Sequence, residues 1–235
     1  MLSSLFEEYK KLSRRYERKF TVADTNWKYF GIEQLVKIHP AGFREIYYRR
    51  RINNIYIDTL GFDNYYDNLF GNYQRLKVRI RWYGETYGII GNPILEFKIK
   101  SNDLGAKMSI PLCSFDFNNN FDISELQKII LESNIPLTLM NSLKVLKPTL
   151  LNNYWRKYYL SFDGKYRLCL DDSLKYYFLN ENNRNFHNDY DKVVVELKYS
   201  ENDHDNADWI TNNLPLRLAK KSKYVSGIQY LYEYG

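Results

Sequence analysis

The sequence predicts an α+β fold whose antiparallel sheet, of about eight or nine strands, is large enough to close on itself. Three observations support this prediction. Apolar and polar residues alternate along most segments after residue 50, and short connections join these segments. The chain of 235 residues contains 23 tyrosines, a residue type that favours strands. No repeat or linker divides the chain, so we expect a single domain over residues 1–235.

The individual elements follow from the spacing of apolar residues. Helices are predicted over residues 1–15, 26–38, about 122–146 with a break near Pro136, and around 207–213. Strands are predicted over residues 16–22, 51–59, 74–84, 93–100, 106–112, 149–162, 165–172, 173–179 and 192–199. Turn-rich residues follow the strand that ends at residue 59, and a polar loop is predicted over 180–191.

Composition excludes several classes of protein. The cysteines Cys113 and Cys169 and the three histidines lack the spacing of metal ligands, so no zinc site is expected. No apolar run approaches the roughly 18 residues of a membrane-spanning helix, and the first twenty residues lack the apolar segment of a signal peptide. We therefore expect a cytoplasmic protein. The net charge of +6 is compatible with a polyanionic partner.

Charged residues on the predicted strands share one face. Because side chains alternate along a strand, Lys77, Arg79 and Arg81 lie on one side and apolar residues on the other. An ordinary half-buried sheet explains this alternation equally well. Crowded like charges favour a lumen that binds a polyanion, because they repel unless an anion lies among them. The basic set is Lys19, Lys77, Arg79, Arg81, Lys98, Lys100, Arg156, Arg167 and Lys198, against the acids Glu17, Glu96, Asp171 and Glu196.

Phosphate recognition in this chain would depend on side chains. The sequence contains no Walker A motif and no G-x-G-x-x-G motif, and the glycines of GIIGNP (88–93) are wrongly spaced. Arginine binds phosphate well because its guanidinium donates two parallel hydrogen bonds. A carboxylate among such cations could hold Mg²⁺ or Mn²⁺. Glu196, in the middle of a predicted strand, is a candidate for that role, although a salt bridge explains it equally well.

Seven segments occur in a characteristic order, and two of them, R-x-R-W-Y-G and K-x-S-K-[FY], are specific in combination. The segments are ERKF, IYIDT, KVRIRWYG, LEFKIK, YRLCLDD, VVVELK and KKSKY. Over residues 16–230 the sequence thereby resembles the catalytic domain of the VTC family of polyphosphate polymerases, which belongs to the triphosphate tunnel metalloenzymes or CYTH superfamily. The resemblance implies a closed eight-stranded antiparallel β-barrel with helices packed outside, which synthesises polyphosphate from ATP.

The resemblance also implies roles for single residues. It implies catalytic roles for Arg79, Arg81, Lys220 and Lys223, and phosphate-binding roles for Lys19, Lys98, Lys107, Arg156 and Arg167. Lys198, on the charged face, is predicted to bind phosphate with them, and Glu196 is implied to bind Mn²⁺ or Mg²⁺. The expected partners are ATP and polyphosphate or triphosphate, and nucleic acid is not expected; the sequence leaves open whether a separate membrane protein takes part.

One departure distinguishes this chain from hydrolytic tunnel enzymes. Their first strand carries E-x-E-x-K, whereas this chain reads Tyr-Glu-Arg-Lys at residues 16–19 and lacks one glutamate. The difference favours a polymerase. A triphosphatase and a non-catalytic polyphosphate- or RNA-binding module remain as alternatives. The SPX domain and membrane helices of eukaryotic members are absent from the sequence, so a stand-alone form is expected.

Overall fold

Eight antiparallel strands pair in a ring in the computed structural model, which describes residues 5, 9–22, 29–118, 120–179, 186–189 and 192–233. The strands of the described residues are β1 (Arg15–Val22), β2 (Arg44–Asp58), β3 (Gln74–Tyr83), β4 (Gly88–Ile90), β5 (Ile94–Ser101), β6 (Leu104–Pro111), β7 (Phe115–Phe117), β8 (Lys147–Leu160), β9 (Arg167–Phe178), β10 (Phe186–Asp189) and β11 (Val193–Ser200). The pairing order is β9–β11–β1–β6–β5–β3–β2–β8, and β8 pairs again with β9. The predicted α+β class and the eight antiparallel strands are confirmed.

Two junctions of the ring differ in their extent. β8 and β9 pair from Leu150 opposite Phe178 to Leu160 opposite Arg167. In contrast, the only aligned pair between β1 and β6 in the described residues is Arg15 with Gly105. The ring is therefore joined by a long ladder on one side and by a short one between β1 and β6.

Helices lie on two outer faces of the ring and at one of its ends. They are α1 (Tyr29–Lys37), α2 (Asp63–Phe70), α3 (Ile123–Glu132), α4 (Leu137–Leu143), α5 (Ala207–Asn212) and α6 (Lys223–Ile228). The side chain of Asp122 caps α3 by accepting hydrogen bonds from the amides of Ser124 and Glu125. None of the helices in the described part of the chain is long and apolar enough to cross a membrane.

The apolar residues of the alternating strands face outwards, under the helices. Val78 and Phe97, from β3 and β5, pack with Leu126 of α3 in one buried cluster. Val195 of β11 packs with Ile32 of α1 in a second cluster, to which α5 also contributes. These clusters confirm the predicted apolar face and leave the charged face turned towards the middle of the ring.

α6 departs from the expected arrangement of helices outside the sheet. Its residues Tyr224 and Ile228 pack with Tyr56, Leu150 and Tyr176 in a third buried cluster. These strand residues lie on the same face as the charged side chains, because Tyr56 stands opposite both Arg79 and Leu150. The helix therefore fills one end of the ring from within.

Some predicted elements were wrong or lie beyond the described residues. The strands predicted over 165–172 and 173–179 form one strand, β9, in which Ser173 adopts a left-handed conformation with φ of 53°. Part of the loop predicted over 180–191 is the strand β10, and most of the segment predicted as turn-rich after residue 59 forms the helix α2. Residues 1–4 and 6–8 of the N-terminal helix predicted over 1–15 lie outside the described residues, and its last part is wrong, because residues 10–14 are not helical and β1 begins at Arg15.

Candidate functional site

The inward face of the ring encloses a polar lumen. Register places Lys77 opposite Lys98, and Arg79 opposite Glu96, on this face. Side chains also meet across strands that are not neighbours: Lys98 of β5 donates a hydrogen bond of 2.7 Å to Glu17 of β1, with β6 between them. The lumen is thus narrow enough for side chains from different strands to contact each other.

Glu96 is the centre of the first cluster of cations. Its Oε2 accepts hydrogen bonds of 2.8 and 2.6 Å from Nε and Nη2 of Arg79, and its Oε1 accepts one of 2.8 Å from Lys107. Arg81 lies 3.5 Å from the same carboxylate. Burial alone would raise the pKa of Glu96, but Arg79, Arg81 and Lys107 lower it far below its usual value. Glu96 is therefore ionised and holds the two arginines in fixed positions.

Glu196 and Asp171 organise a second cluster. Glu196 Oε2 accepts from Arg156 and Lys198, each at 2.9 Å, and Oε1 lies 3.2 Å from Lys223. Arg156 and Lys223 also pair with Asp171. Burial acts to raise the pKa of Glu196, but Lys198, Lys223 and Arg156 lower it well below the usual range. The carboxylate is ionised only because several cations surround it.

Glu17 is the centre of a third cluster, which Lys19 connects to the cluster around Glu196. Its carboxylate lies 2.7 Å from Lys98 and 3.3 Å from Lys19, and Lys19 in turn lies 3.8 Å from Glu196. Burial lowers the pKa of Lys98 to about 7, although Glu17 acts in the opposite direction. This end of the lumen contains amines that are poorly compensated by the protein itself.

Tyr154 joins the clusters around Glu96 and Glu196. Its hydroxyl accepts a hydrogen bond of 3.2 Å from Arg81, and its ring lies 5.3 Å from the Arg156 guanidinium and 4.8 Å from the Lys223 ammonium. Arg81 also donates to Asn54 at 2.8 Å. Sequence reasoning missed Tyr154, although its two-residue spacing from Arg156 on one strand places both on the same face.

α6 positions Lys223 in the lumen. Ser222 caps the helix by accepting a hydrogen bond of 3.3 Å from the amide of Val225. Tyr224 stacks on Tyr56 at 4.7 Å, and its hydroxyl donates to Asp58 at 2.6 Å. These contacts hold the first turn of α6 so that the amine of Lys223 reaches Glu196 and Asp171.

Gly227 lets α6 approach the sheet. A Cβ atom added there would lie 2.5 Å from Leu150 and 2.6 Å from Tyr176. We expect Gly227→Ala to lower the free energy of unfolding by about 1–3 kcal/mol, because α6 must move away. Urea denaturation would measure the loss. Gly91→Ala, where the added Cβ meets open space, is the matched control. Equal stability of the two variants would contradict the packing of α6 inside the ring.

The structure brings together most of the residues predicted for the site. Those on the lumen face and in the three clusters are Lys19, Arg79, Arg81, Lys98, Lys107, Arg156, Glu196, Lys198 and Lys223. Arg167 and Lys220 differ, because both are exposed and neither forms an ion pair with a described residue. Arg167 is the first residue of β9 and stands opposite Lys198, at the edge of the lumen. The segment before Lys221 runs alongside β1, where the amide of Ala219 donates a hydrogen bond to the carbonyl oxygen of Lys19.

A divalent cation fits this site only together with phosphate. Among the described residues, no three His, Cys, Asp or Glu side chains lie together as a metal site. Glu196 is a single ionised carboxylate, and Mg²⁺ is commonly bound by one or two carboxylates together with substrate phosphates. The cations around Glu196 would repel a metal ion unless phosphate oxygens neutralised them.

A family model described as the VTC domain matches residues 7–232. The chain belongs to the VTC domain family. The resemblance inferred from the ordered motifs is therefore confirmed at the level of the family. No curated protein matches this VTC domain in sequence.

Solved structures share the fold of this VTC domain at low sequence identity. A candidate adenylate cyclase from Vibrio parahaemolyticus has a TM-score of 0.52 and 11% identity, covering 91% of this chain and 98% of its own. A Pyrococcus horikoshii protein has a TM-score of 0.51 and 13% identity, covering 92% of this chain and 99% of its own. At these identities, the likeness concerns the fold alone.

Proposed function

We propose that the ring is a closed tunnel for a phosphate chain and that the protein transfers phosphoryl groups from ATP to polyphosphate. The observation that carries this proposal is the surplus of positive charge in a buried lumen. The lumen cations are Lys19, Arg79, Arg81, Lys98, Lys107, Arg156, Lys198 and Lys223, against the carboxylates Glu17, Glu96, Asp171 and Glu196. A polyanion supplies the missing negative charge and matches the shape of a tunnel.

The clusters suggest how a triphosphate would be held. Arg79, Arg81 and Arg156 are fixed by buried carboxylates, so little side-chain freedom is lost when they bind phosphate oxygens. Lys223, directed into the lumen by α6, would contact the terminal phosphate of ATP. A divalent ion bound to Glu196 and the triphosphate would neutralise charge on the phosphate oxygens.

The transfer itself needs no protein nucleophile. An oxygen of an acceptor phosphate, held by Lys19 and Lys98, attacks the γ-phosphorus of ATP in line with the leaving group. The bond between the γ-phosphorus and the bridging oxygen breaks, and ADP leaves with that oxygen. The acceptor chain is then one phosphate longer. Catalysis depends on positioning and charge neutralisation, which the clusters can supply.

The activity can be tested with purified protein, ATP and Mn²⁺. We expect ADP to form together with phosphate chains that appear as a ladder on a gel. Release of orthophosphate without chains would contradict polymerisation and favour a triphosphatase. Binding of polyphosphate or RNA without turnover would favour the non-catalytic alternative. Lys128→Met, at an exposed position on α3, is a control for a change of charge outside the lumen.

Mn²⁺ binding is expected to depend on phosphate. The free protein should retain no Mn²⁺ in equilibrium dialysis, because Lys198, Lys223 and Arg156 surround Glu196. With tripolyphosphate present, we expect about one Mn²⁺ per chain, as a carboxylate and phosphates can share the ion. Glu196→Gln should lose the Mn²⁺ but keep tripolyphosphate. Retention of Mn²⁺ by the phosphate-free protein would contradict this arrangement.

A further inference from the structure

Three lysines form a row across neighbouring strands on the lumen face. Lys77 of β3 stands opposite Lys98 of β5, and Lys98 stands opposite Lys107 of β6. Opposite residues in antiparallel strands have Cβ atoms about 5 Å apart, so like charges there destabilise each other. Two of the three have a carboxylate partner: Lys98 donates to Glu17 at 2.7 Å and Lys107 to Glu96 at 2.8 Å.

Lys77 has no carboxylate within ion-pair distance among the residues that the structure describes. The charges that face it are Lys19 and Glu17 from β1, Lys98 from β5 and Arg79 from its own strand. Glu17 is already bound by Lys98 and Lys19. Burial, followed by Lys19 and Lys98, lowers the pKa of Lys77 well below its usual value. The free protein thus disfavours the ammonium form of Lys77, which, unlike Lys98, has no carboxylate partner among the described residues.

Neighbouring strands offer no other acid for Lys77. Asp58 ends β2 beside β3, but its carboxylate accepts hydrogen bonds from Tyr224 and from the amides of Asn64 and Tyr65. The residue that β6 contributes to the row of lysines is another cation, Lys107. A negative charge beside Lys77 would therefore have to come from a ligand.

We propose that Lys77 binds the phosphate chain and takes up a proton as the chain enters the lumen. The inference rests on the proposed function and extends it, because it makes binding dependent on pH at a specific atom. The proton passes from solvent to Nζ of Lys77, and no covalent bond between heavy atoms forms or breaks. A phosphate oxygen then provides the charge that the protein lacks there, and the row of lysines becomes a compensated subsite.

Calorimetry can measure the proton directly. Tripolyphosphate is titrated into the metal-free protein near pH 8, in two buffers that differ in ionisation enthalpy, which gives the number of protons taken up. We expect Lys77→Met to take up fewer protons than the wild type and to bind about tenfold more weakly or worse, as expected for one lost charge interaction. Because the wild type and the variant are compared at the same pH, protons exchanged by tripolyphosphate itself contribute equally to both and cancel in the difference.

A second variant separates charge from proton uptake. Lys77→Arg carries a guanidinium that stays protonated at this pH, so we expect near wild-type affinity with reduced proton uptake. Arg75→Met, on the same strand but outside the lysine row, should leave both quantities unchanged. If Lys77→Met and Lys77→Arg both showed wild-type affinity and wild-type proton uptake, Lys77 would not be the binding residue.

Stability distinguishes a binding residue from a structural one. In the free protein, Lys77→Met should raise the melting temperature, because it removes a half-buried amine that faces other cations. A structural role would lower stability and affinity together, which would overturn the inference without contradicting the proposed function. If the wild type binds no tripolyphosphate, the proposed function itself fails. The two failures are therefore distinguishable.

Discussion

Arg156→Met is expected to lower the free energy of unfolding by about 3–5 kcal/mol, the cost of removing one partner from a buried ion pair. Arg156 is 4% exposed and bonds to both Asp171 and Glu196. Without Arg156, the two buried carboxylates have only the surrounding lysines as counter-charges, and each carboxylate raises the pKa of the other. Guanidinium denaturation at pH 7 would measure the loss.

The destabilisation by Arg156→Met should depend on pH in a definite direction. Arg156 lowers the pKa of Asp171 in the folded protein against the opposing effect of burial. A carboxylate with a lowered folded pKa contributes stability above its unfolded pKa, about 3.9, and this contribution is lost as the pH falls. The difference between variant and wild type should therefore be largest near neutral pH and shrink in acid. A difference that grew in acid would contradict the assigned pairing.

A double variant separates stability from function at the same place. Arg156→Met with Asp171→Asn removes one of the carboxylates left uncompensated, so part of the lost stability should return. Activity should not return, because the guanidinium that would bind phosphate is still missing. Recovery of both stability and phosphate transfer would show that Arg156 acts only as a structural counter-ion.

Arg79→Met is expected to reduce phosphate transfer by about 10³-fold or more, the range seen when an arginine that stabilises phosphoryl transfer is lost. The expected cost in stability is smaller than for Arg156, because Glu96 keeps Arg81 and Lys107 as partners. Steady-state ADP formation and urea denaturation, measured on the same preparations, would test both expectations.

Arg75→Met provides the matched control for Arg79→Met. Arg75 lies on the same strand but bonds to the backbone carbonyl of Asn102 at its exposed end. We expect it to keep full activity. If Arg75→Met and Arg79→Met reduced activity equally, a general loss of positive charge would explain the effect, and the placement of Arg79 at the phosphates would be wrong.

The faces of the strands could be predicted from the sequence because alternation is a local property. In β3, the residues between Leu76 and Trp82 alternate without a break, and register then places Arg79 opposite Glu96. The pairing partners of Glu196 could not be derived from that pattern alone. Arg156 and Lys223 come from β8 and α6, and only the pairing of β8 with β9 and the packing of α6 at the end of the ring bring them to Glu196.

Elements that depend on tertiary contacts were missed for a physical reason. α2 has the polar sequence DNYYDNLF, typical of a turn, but the buried carboxylate of Asp58 binds the amides of its first residues. β9 continues through Ser173 although that residue is left-handed, because β8 pairs with it on both sides of the irregularity. The side chains of Lys220 and Lys223 point in different directions because α6 begins only at Lys223.

The position of β1 in the ring determines when the ring of strands can form during synthesis. β1 is among the first elements of the chain, yet its long ladder is with β11, the last strand, and Lys223 follows later still. Pairing between distant segments is slow to form. During synthesis, β1 leaves the ribosome long before its partner exists. A nascent or truncated chain would expose the arginines of the middle strands while lacking both β11 and α6, so anion binding should mature only at release of the full chain.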